Sequence, residues 1–228
     1  MPQAAAARPA RYAADPIGAP LQWLREWLPS GFGAAVAPIT ERFAAAFAAE
    51  ERLIDRAVDK RRNEFRAGRA VAREALAQIG CPPAAILAHP QRDPIWPAGF
   101  LGSITHSERL ALALAAPSSL IEAVGVDLED DSALDPRLTS SVCRADERPQ
   151  QAEFAQLGID HAKLCFVAKE AVFKAIFPRQ RSPVQFEQLR LCFHIPDRSF
   201  RVDQLPGIGR FLCHPGVMMA VFLIRQRA

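Results

Sequence analysis

Residues 123–129 read Ala-Val-Gly-Val-Asp-Leu-Glu, and residues 159–177 read Ile-Asp-His-Ala-Lys-Leu-Cys-Phe-Val-Ala-Lys-Glu-Ala-Val-Phe-Lys-Ala-Ile-Phe. The first segment has the length and the β-branched content of a strand. The second segment predicts a long helix that is apolar nearly all round and therefore mostly buried. Asp160 is the expected N-cap of this helix, and Pro178 is its expected end. A strand followed by a buried helix predicts an α+β fold.

The rest of the chain has the same order of a long helix followed by short strands. Thr40 is predicted to cap a short helix around Phe43 and Phe47, and a longer helix is predicted from residue 53 to residue 79. Further strands are predicted at residues 100–104, 110–116, 189–195, 200–202 and 217–224. After a flexible leader at residues 1–20, we expect two similar halves, residues 21–120 and 121–228, each with a long helix on a small antiparallel sheet. The functional site is expected in the cleft between them.

Composition excludes several classes of protein. The 228 residues are 50% hydrophobic and 23% charged, which is typical of a globular protein with a core. A net charge of +3 is too small to indicate a nucleic acid or a membrane surface as the partner. No apolar run approaches the roughly 20 residues of a transmembrane helix. Five cysteines without a Cys-x-x-Cys pair favour free thiols over a disulfide framework or a zinc site. Free thiols are typical of a reducing compartment, so we expect a cytoplasmic protein. We also expect it to be a monomer.

Two carboxylates lie on one face of the predicted strand at residues 123–129. Asp127 and Glu129 are two residues apart, and the alternation of a strand sends both side chains to the face that Gly125 leaves open for a ligand. Adjacent carboxylates repel each other, and a hard divalent cation such as Mg²⁺ is a common reason to hold them together. The alternative is an exposed strand end that leads into an acidic turn.

Three charges interrupt the apolar helix. Glu170 and Lys174 share one face, and Lys169 lies one step around the helix. A surface ion pair would contribute only about 0.3–0.5 kcal/mol and would not explain charges in an apolar segment. Buried charges need partners, and a third metal carboxylate with phosphate-binding lysines would supply them. Asp127, Glu129 and Glu170 then form a triad suited to Mg²⁺-assisted phosphoryl chemistry.

The first long helix has a basic face. Arg61, Phe65 and Arg69 fall within about 80° of one another around this helix. The two guanidinium groups could bind phosphates of one ligand, although a solvated basic face is the commoner meaning of such a run. Gly68 costs about 1 kcal/mol relative to alanine inside a helix, which indicates close packing at that point.

These segments together resemble a known family. The residues are Lys-Arg-Arg-Asn-Glu-Phe-Arg-Ala-Gly-Arg at 60–69, Pro-Ile-Trp-Pro at 94–97, Gly-Ser-Ile-Thr-His-Ser at 102–107, Gly-Val-Asp-Leu-Glu at 125–129 and Lys-Glu-Ala-Val-Phe-Lys at 169–174. Their types and order closely resemble the Sfp-type 4′-phosphopantetheinyl transferases, and most closely the branch represented by enterobactin synthase component D. Thr105 stands where serine is usual in the family, and Val167 stands where a small hydroxyl residue is common.

The resemblance implies a fold of two similar α+β halves with coenzyme A in the cleft between them. It also implies site residues, position by position. The implied Mg²⁺ ligands are Asp127, Glu129 and Glu170. The implied contacts of coenzyme A are Arg61, Arg69, Arg92, Thr105 and His106 at its phosphoadenosine end, Lys169 and Lys174 at its pyrophosphate, and Asp127.

The implied reaction transfers 4′-phosphopantetheine from coenzyme A to a serine of an apo acyl or peptidyl carrier protein, with release of 3′,5′-ADP. Glu170 would act as general base and Lys174 would stabilise the departing phosphate. The branch suggests siderophore or other nonribosomal peptide synthesis. Arg137, Arg144 and Arg148 are predicted to contact the acidic carrier.

Two alternatives come from other classes of protein. A module that binds coenzyme A or a carrier without catalysis would not need three metal carboxylates. A Mg²⁺-dependent nuclease would favour a glutamate and a lysine on a strand rather than on a helix.

Overall fold

The computed structural model describes residues 17–39, 42–182, 184–203 and 205–226. The helices are α1 (Gly18–Trp27), α2 (Ala48–Glu51), α3 (Asp59–Gln78), α4 (Thr139–Val142), α5 (Gln151–Gln156) and α6 (His161–Gln180). The strands are β1 (Gly33–Pro38), β2 (Leu87–Ala88), β3 (Pro94–Ile95), β4 (Phe100–His106), β5 (Leu110–Pro117), β6 (Ile121–Glu129), β7 (Leu191–His194), β8 (Ser199–Val202), β9 (Ile208–His214) and β10 (Val217–Arg225). All the strand pairs are antiparallel, which confirms the α+β class.

The N-terminal sheet has the order β1-β5-β4 and packs against α3. The alternating leucines and alanines of β5 explain how this layer forms. Ala111, Ala113 and Ala115 face α3, and their small size lets the helix approach the sheet closely. Leu112 and Leu114 point to the opposite face, where they pack in a second core with residues of β6 and β10.

The C-terminal sheet has the order β6-β10-β9-β8-β7, and α6 packs on β6 and β10. Gly125 is the closest point of this packing, because a Cβ atom there would lie 1.9 Å from the carbonyl oxygen of Ala171. The glycine therefore makes room for α6 and not for a ligand, which corrects the expectation from the sequence. As predicted, α6 is mostly buried and Asp160 caps it by accepting a hydrogen bond from the Lys163 amide.

Hydroxyl side chains join the two sheets. Ser103 on β4 accepts a hydrogen bond from the Val126 amide at 3.0 Å, and Thr105 accepts one from the Leu128 amide at 3.2 Å. These bonds replace a main-chain ladder between β4 and β6 and hold the two strands side by side. The ends of both strands, with their polar residues, therefore open on the same face of the protein.

The N-terminal part of the chain differs from the prediction in four ways. Helix α1 includes residues 18–20, which were assigned to a flexible leader, whereas residues 1–16 lie outside the described residues. Thr40 also lies outside them, and the residues around Phe43 and Phe47 are not helical. The long helix begins at Asp59 rather than at residue 53. Strand β1 was not predicted, because its sequence Gly-Ala-Ala-Val-Ala-Pro has little strand propensity.

The C-terminal part differs in two ways. Pro178 does not end α6, which continues to Gln180 and closes at Arg181 in the left-handed conformation with φ 53°. A proline this near the C-terminus removes only one of the last helical hydrogen bonds, so the last turn still forms. Strand β9 was missed because Gly209 interrupts its pattern. A Cβ atom at Gly209 would lie 2.1 Å from the Phe200 ring, so this position admits only glycine.

No described helix combines the length and the apolar character needed to cross a membrane.

Candidate active site

A cleft of about 450 Å³ opens where α3, β4, β6 and α6 meet. Its lining residues are Arg61, Glu64, Phe65, Gly68, Arg69, Arg92, Pro94, Ile104, Thr105, His106, Asp127, Glu129, Phe166, Glu170 and Lys174. The structure thus brings together every site residue predicted from the sequence except Lys169.

Regular spacing within each element produces this convergence. Helix α3 presents residues four apart, and Ile104 packs against Gly68 so closely that a Cβ atom on the glycine would lie 3.0 Å from it. Strand β6 presents alternate residues on the cleft side. Helix α6 presents a stripe of Lys163, Phe166, Glu170 and Lys174, whose spacings of three and four residues keep them on one face.

Asp127 lies at the centre of the site and is buried. Its Oδ1 atom accepts hydrogen bonds from Thr105 Oγ1 at 2.9 Å and from Lys174 Nζ at 2.6 Å. Lys174 Nζ also donates to Thr105 Oγ1 at 3.1 Å. The Oδ2 atom of Asp127 is buried without a hydrogen-bond partner, and a buried carboxylate oxygen in this state is costly unless a ligand satisfies it.

Lys163 is a site residue that sequence reasoning missed. Its Nζ atom lies 3.2 Å from Glu129 Oε2 and 3.9 Å from Asp130 Oδ1, and its side chain is almost completely buried. The ammonium group holds Glu129 at the edge of the cleft. Its helical spacing from Glu170 and Lys174 was the signal that could have found it.

The environment of Glu170 favours the protonated carboxyl group. Burial raises the pKa of Glu170, and the nearby charge of Asp127 raises it further. Lys174 opposes this shift in part, while Glu129 adds a smaller increase. The raised pKa makes Glu170 a stronger base than an ordinary glutamate in the metal-free protein, which suits a group that has to accept a proton.

Arg61 and His106 meet in the lining of the cleft. The guanidinium group of Arg61 donates to His106 Nε2 at 3.1 Å and lies 3.3 Å from Glu64 Oε2. A guanidinium group has no acceptor, so in this contact Arg61 is the donor and His106 Nε2 the acceptor. The side chain of Arg61 is 49% exposed, which leaves donors free to bind a ligand phosphate.

Arg69 is buried beside Arg61 and is held by the main chain. It donates to the Ile86 carbonyl at 2.7 Å and to the Leu87 carbonyl at 3.3 Å, and its guanidinium carbon lies 4.4 Å from the centre of the Phe65 ring. Burial lowers the pKa of Arg69 to about 10, so it keeps its positive charge at neutral pH. Arg92 joins the cleft from the turn between β2 and β3, where its φ angle of 71° is in the left-handed region.

The structure places Lys169 outside the cleft. This side chain is fully buried, and its Nζ atom donates to Glu147 Oε2 at 2.9 Å and to the carbonyls of Val142 at 2.8 Å and Phe186 at 3.1 Å. One residue along a helix turns a side chain by about 100°, so Lys169 points away from its neighbour Glu170. We therefore correct the expectation that Lys169 contacts a pyrophosphate.

The residues implied as Mg²⁺ ligands fit a divalent cation in their chemistry. The unpartnered Oδ2 of Asp127, and the burial and carboxylate repulsion that raise the pKa of Glu170, both suit a bound cation. The three carboxylates do not form a trio with all ligand atoms within 4.8 Å of one another. Opposite ligands of Mg²⁺ are about 4.2 Å apart, so direct coordination by all three would require a side chain to rotate.

The arginines predicted to contact a carrier are partly neutralised. Arg137 forms a salt bridge with Asp135, and Arg144 forms one with Asp146 at 2.9 Å and also donates to the Glu187 carbonyl. Arg148 is exposed. The surface around these arginines therefore carries both positive and negative charges and is not strongly basic.

Comparison with known proteins identifies the family. A family model described as the 4′-phosphopantetheinyl transferase N-terminal domain matches residues 49–116, and one described as the 4′-phosphopantetheinyl transferase superfamily matches residues 123–213. The 4′-phosphopantetheinyl transferase Npt of Nocardia iowensis is 36% identical over 154 residues, which cover 68% of this chain and 69% of that protein. PptT of Mycobacterium tuberculosis is 34% identical over 163 residues, 72% of this chain and 69% of that protein.

Enterobactin synthase component D of Salmonella typhi is 36% identical over 131 residues, which cover 54% of this chain and 52% of that protein. The resemblance predicted from the motifs is thus confirmed by matches over most of the chain. The chain belongs to the Sfp-type 4′-phosphopantetheinyl transferase superfamily and is a 4′-phosphopantetheinyl transferase.

Proposed function

We propose that this enzyme transfers 4′-phosphopantetheine from coenzyme A to a serine hydroxyl of an apo carrier protein and releases 3′,5′-ADP, in a Mg²⁺-dependent reaction. The observation that carries the proposal is the cleft itself, in which Asp127, Glu129 and Glu170 lie with Lys174 of α6 beside them and Arg61 of α3 in the facing wall. A charged ligand with phosphates at two separated points, as in coenzyme A, matches this distribution of charge.

Each charged side chain of the cleft would have a separate role in phosphoryl transfer. Arg61 and Arg69 would bind the 3′-phosphate and so orient the pyrophosphate. Glu170 would accept the proton of the carrier serine while the serine oxygen bonds to the β-phosphorus. The bond from that phosphorus to the bridging oxygen would break, and Lys174 would stabilise the charge on the departing 3′,5′-ADP.

The metal would be held by the carboxylates of Asp127, Glu129 and Glu170. When bound, Mg²⁺ would neutralise the phosphate oxygens and polarise the phosphorus for attack. In the structure, Lys174 and Lys163 hold the oxygens of Asp127 and Glu129, so these lysines compensate part of the negative charge of the cluster. The position of Glu170 and Lys174 on helix α6 disfavours the nuclease alternative, which requires them on a strand.

The names of the enterobactin relatives suggest a peptidyl carrier domain as the first substrate to test. Purified enzyme, coenzyme A and several apo carriers would be incubated with Mg²⁺ or with a chelator, and the carriers examined by mass spectrometry. We expect a mass increase of one phosphopantetheine on the carrier serine, with 3′,5′-ADP in the supernatant, only when Mg²⁺ is present. Tight binding of coenzyme A without transfer to any carrier would favour the non-catalytic alternative.

Arg61→Ala is expected to weaken coenzyme A binding by about 10-fold or more, because it removes a charge-assisted contact of about 1.5–3 kcal/mol with a remote phosphate. The rate of the bound complex should change much less, since this contact is equally strong in the ground and transition states. Titration with coenzyme A and with dephospho-coenzyme A, which lacks the 3′-phosphate, would test this.

Lys60→Ala is the matched control, because Lys60 neighbours Arg61 and its side chain is 70% exposed. Equal losses for both ligands in Arg61→Ala would show that Arg61 does not bind the 3′-phosphate.

A further inference from the structure

Three metal-ligating side chains meet in the core of the C-terminal half, away from the cleft. Cys143, His161 and Cys165 have ligand atoms that all lie within 4.8 Å of one another, and all three residues are at least 95% buried. Among the described residues, no other trio of histidine, cysteine and acidic side chains meets this distance. The carboxylate cluster of the cleft does not include any of them.

Sequence reasoning did not find this cluster, because its third ligand comes from a different element of the fold. His161 and Cys165 are four apart and share one face of α6, which is a spacing that places two ligands on one ion. Cys143 ends α4 in the segment that connects β6 to α6. The absence of a Cys-x-x-Cys pair predicts no zinc site, but the fold brings the third ligand, Cys143, from another element.

We propose that Cys143, His161 and Cys165 form a binding site for a thiophilic divalent cation, for which Zn²⁺ is the chemical match. A tetrahedral zinc site has Zn–S bonds of about 2.3 Å and Zn–N bonds of about 2.0–2.1 Å, which place sulfur and nitrogen about 3.6 Å apart. The Cys165 Sγ atom lies 3.5 Å from His161 Nε2. The fourth position of the ion would take a water molecule or another small ligand.

The charge of the site also suits a divalent cation. Two thiolates and a neutral imidazole carry two negative charges, which Zn²⁺ would neutralise in this dry environment. Binding would release the thiol protons to the buffer.

Such an ion would tie the segment between β6 and α6 to the helix that carries Glu170. Cys143 directly precedes Arg144, which is a candidate carrier contact, and Glu147 in the same segment already pairs with Lys169 of α6. Metal binding would therefore stabilise the surface that carries Arg144. The alternative is that the three groups only form hydrogen bonds with one another, as the 3.5 Å contact between Cys165 and His161 also allows.

The test uses the full chain with a phosphine reductant, which keeps the cysteines reduced and, unlike an added thiol, gives no thiolate–cobalt band of its own. Excess Mg²⁺ is present to occupy the carboxylates. Addition of Co²⁺ should produce the near-ultraviolet thiolate-to-cobalt charge-transfer band, which carboxylate ligands cannot produce. Zn²⁺ should bind at one equivalent, abolish this band and raise the melting temperature. Absence of the band in the wild-type protein would overturn the proposal, whatever the variants do.

Cys143→Ser and Cys165→Ser should each weaken Zn²⁺ binding by more than about 100-fold, because losing a ligand costs more than losing a group that only hydrogen-bonds to a ligand. Cys192→Ser is the matched control, since Cys192 is an exposed free thiol, and it should bind Zn²⁺ as the wild type does. Binding that survives Cys143→Ser, or that is lost with Glu129→Gln instead, would place the ion elsewhere and refute the site. Neither result would affect the proposed transfer reaction.

Discussion

Glu170→Gln is expected to lower the rate of phosphopantetheine transfer by about 10²–10⁴-fold, the usual contribution of a general base. The substitution keeps the shape of the side chain but removes both its charge and its ability to accept a proton. Coenzyme A binding in the absence of metal should change little, because the proposed phosphate contacts Arg61 and Arg69 belong to α3 and not to α6. Transfer rate, coenzyme A affinity and melting temperature would be measured on one preparation.

The matched control is Glu74→Gln, which makes the same chemical change at an exposed position of α3 and should leave transfer unchanged. A soluble Glu170→Gln variant that binds coenzyme A and transfers at nearly the wild-type rate would remove Glu170 from the mechanism. It would leave the residue as a partner of Lys174 in a structural charge cluster.

The same variant has a distinct effect on stability against pH. The folded-state pKa of Glu170 is raised above 4.5, so the folded protein binds its proton more tightly than the unfolded chain does. In metal-free protein, the free energy of unfolding should therefore fall as the pH rises from about 4.5 through the raised pKa. Glu170→Gln should remove this decline. Denaturant titrations of both proteins with a chelator at several pH values would show it as a stability difference that grows with pH.

Lys169→Met is expected to lower the free energy of unfolding by about 3–5 kcal/mol, because it leaves the buried carboxylate of Glu147 without its cation. The Lys169 ammonium group has three hydrogen-bond acceptors in the structure, and none of them is in the cleft. Glu147 would keep only the Leu191 amide at 2.7 Å and the Arg144 amide at 2.8 Å as donors. Chemical denaturation would measure the loss.

Lys60→Met is the control, because this exposed lysine pairs with Glu108 at 3.5 Å on the surface and its loss should cost less than about 0.5 kcal/mol. The double variant Lys169→Met with Glu147→Gln should recover part of the stability, since it removes both charges. A Lys169→Met variant as stable as the wild type but with a raised KM for coenzyme A would instead support the pyrophosphate contact that the family resemblance implies.

The sequence by itself was enough to predict the α+β class and the grouping of the charged residues on β6 and on α6, because both depend on local periodicity. Arg92, Thr105 and His106 were implied by the family resemblance instead. Strand alternation placed Asp127 and Glu129 on one side of β6, and helical spacing grouped Glu170 with Lys174. The cap at Asp160 was predictable because its carboxylate acts on an amide three residues away. The direction of a side chain from its own element is set by backbone geometry, which nearby residues determine.

Only the tertiary structure decided what each side chain meets. Lys169 has the same sequence context as Glu170, but its direction leads to Glu147 in a distant segment. Gly125 faces the backbone of α6 and not a ligand, and Cys143 reaches the His161 and Cys165 pair only because α4 folds against α6. Such partners are far apart along the chain, and their contact depends on how helices and sheets pack, which periodicity within a single element does not encode.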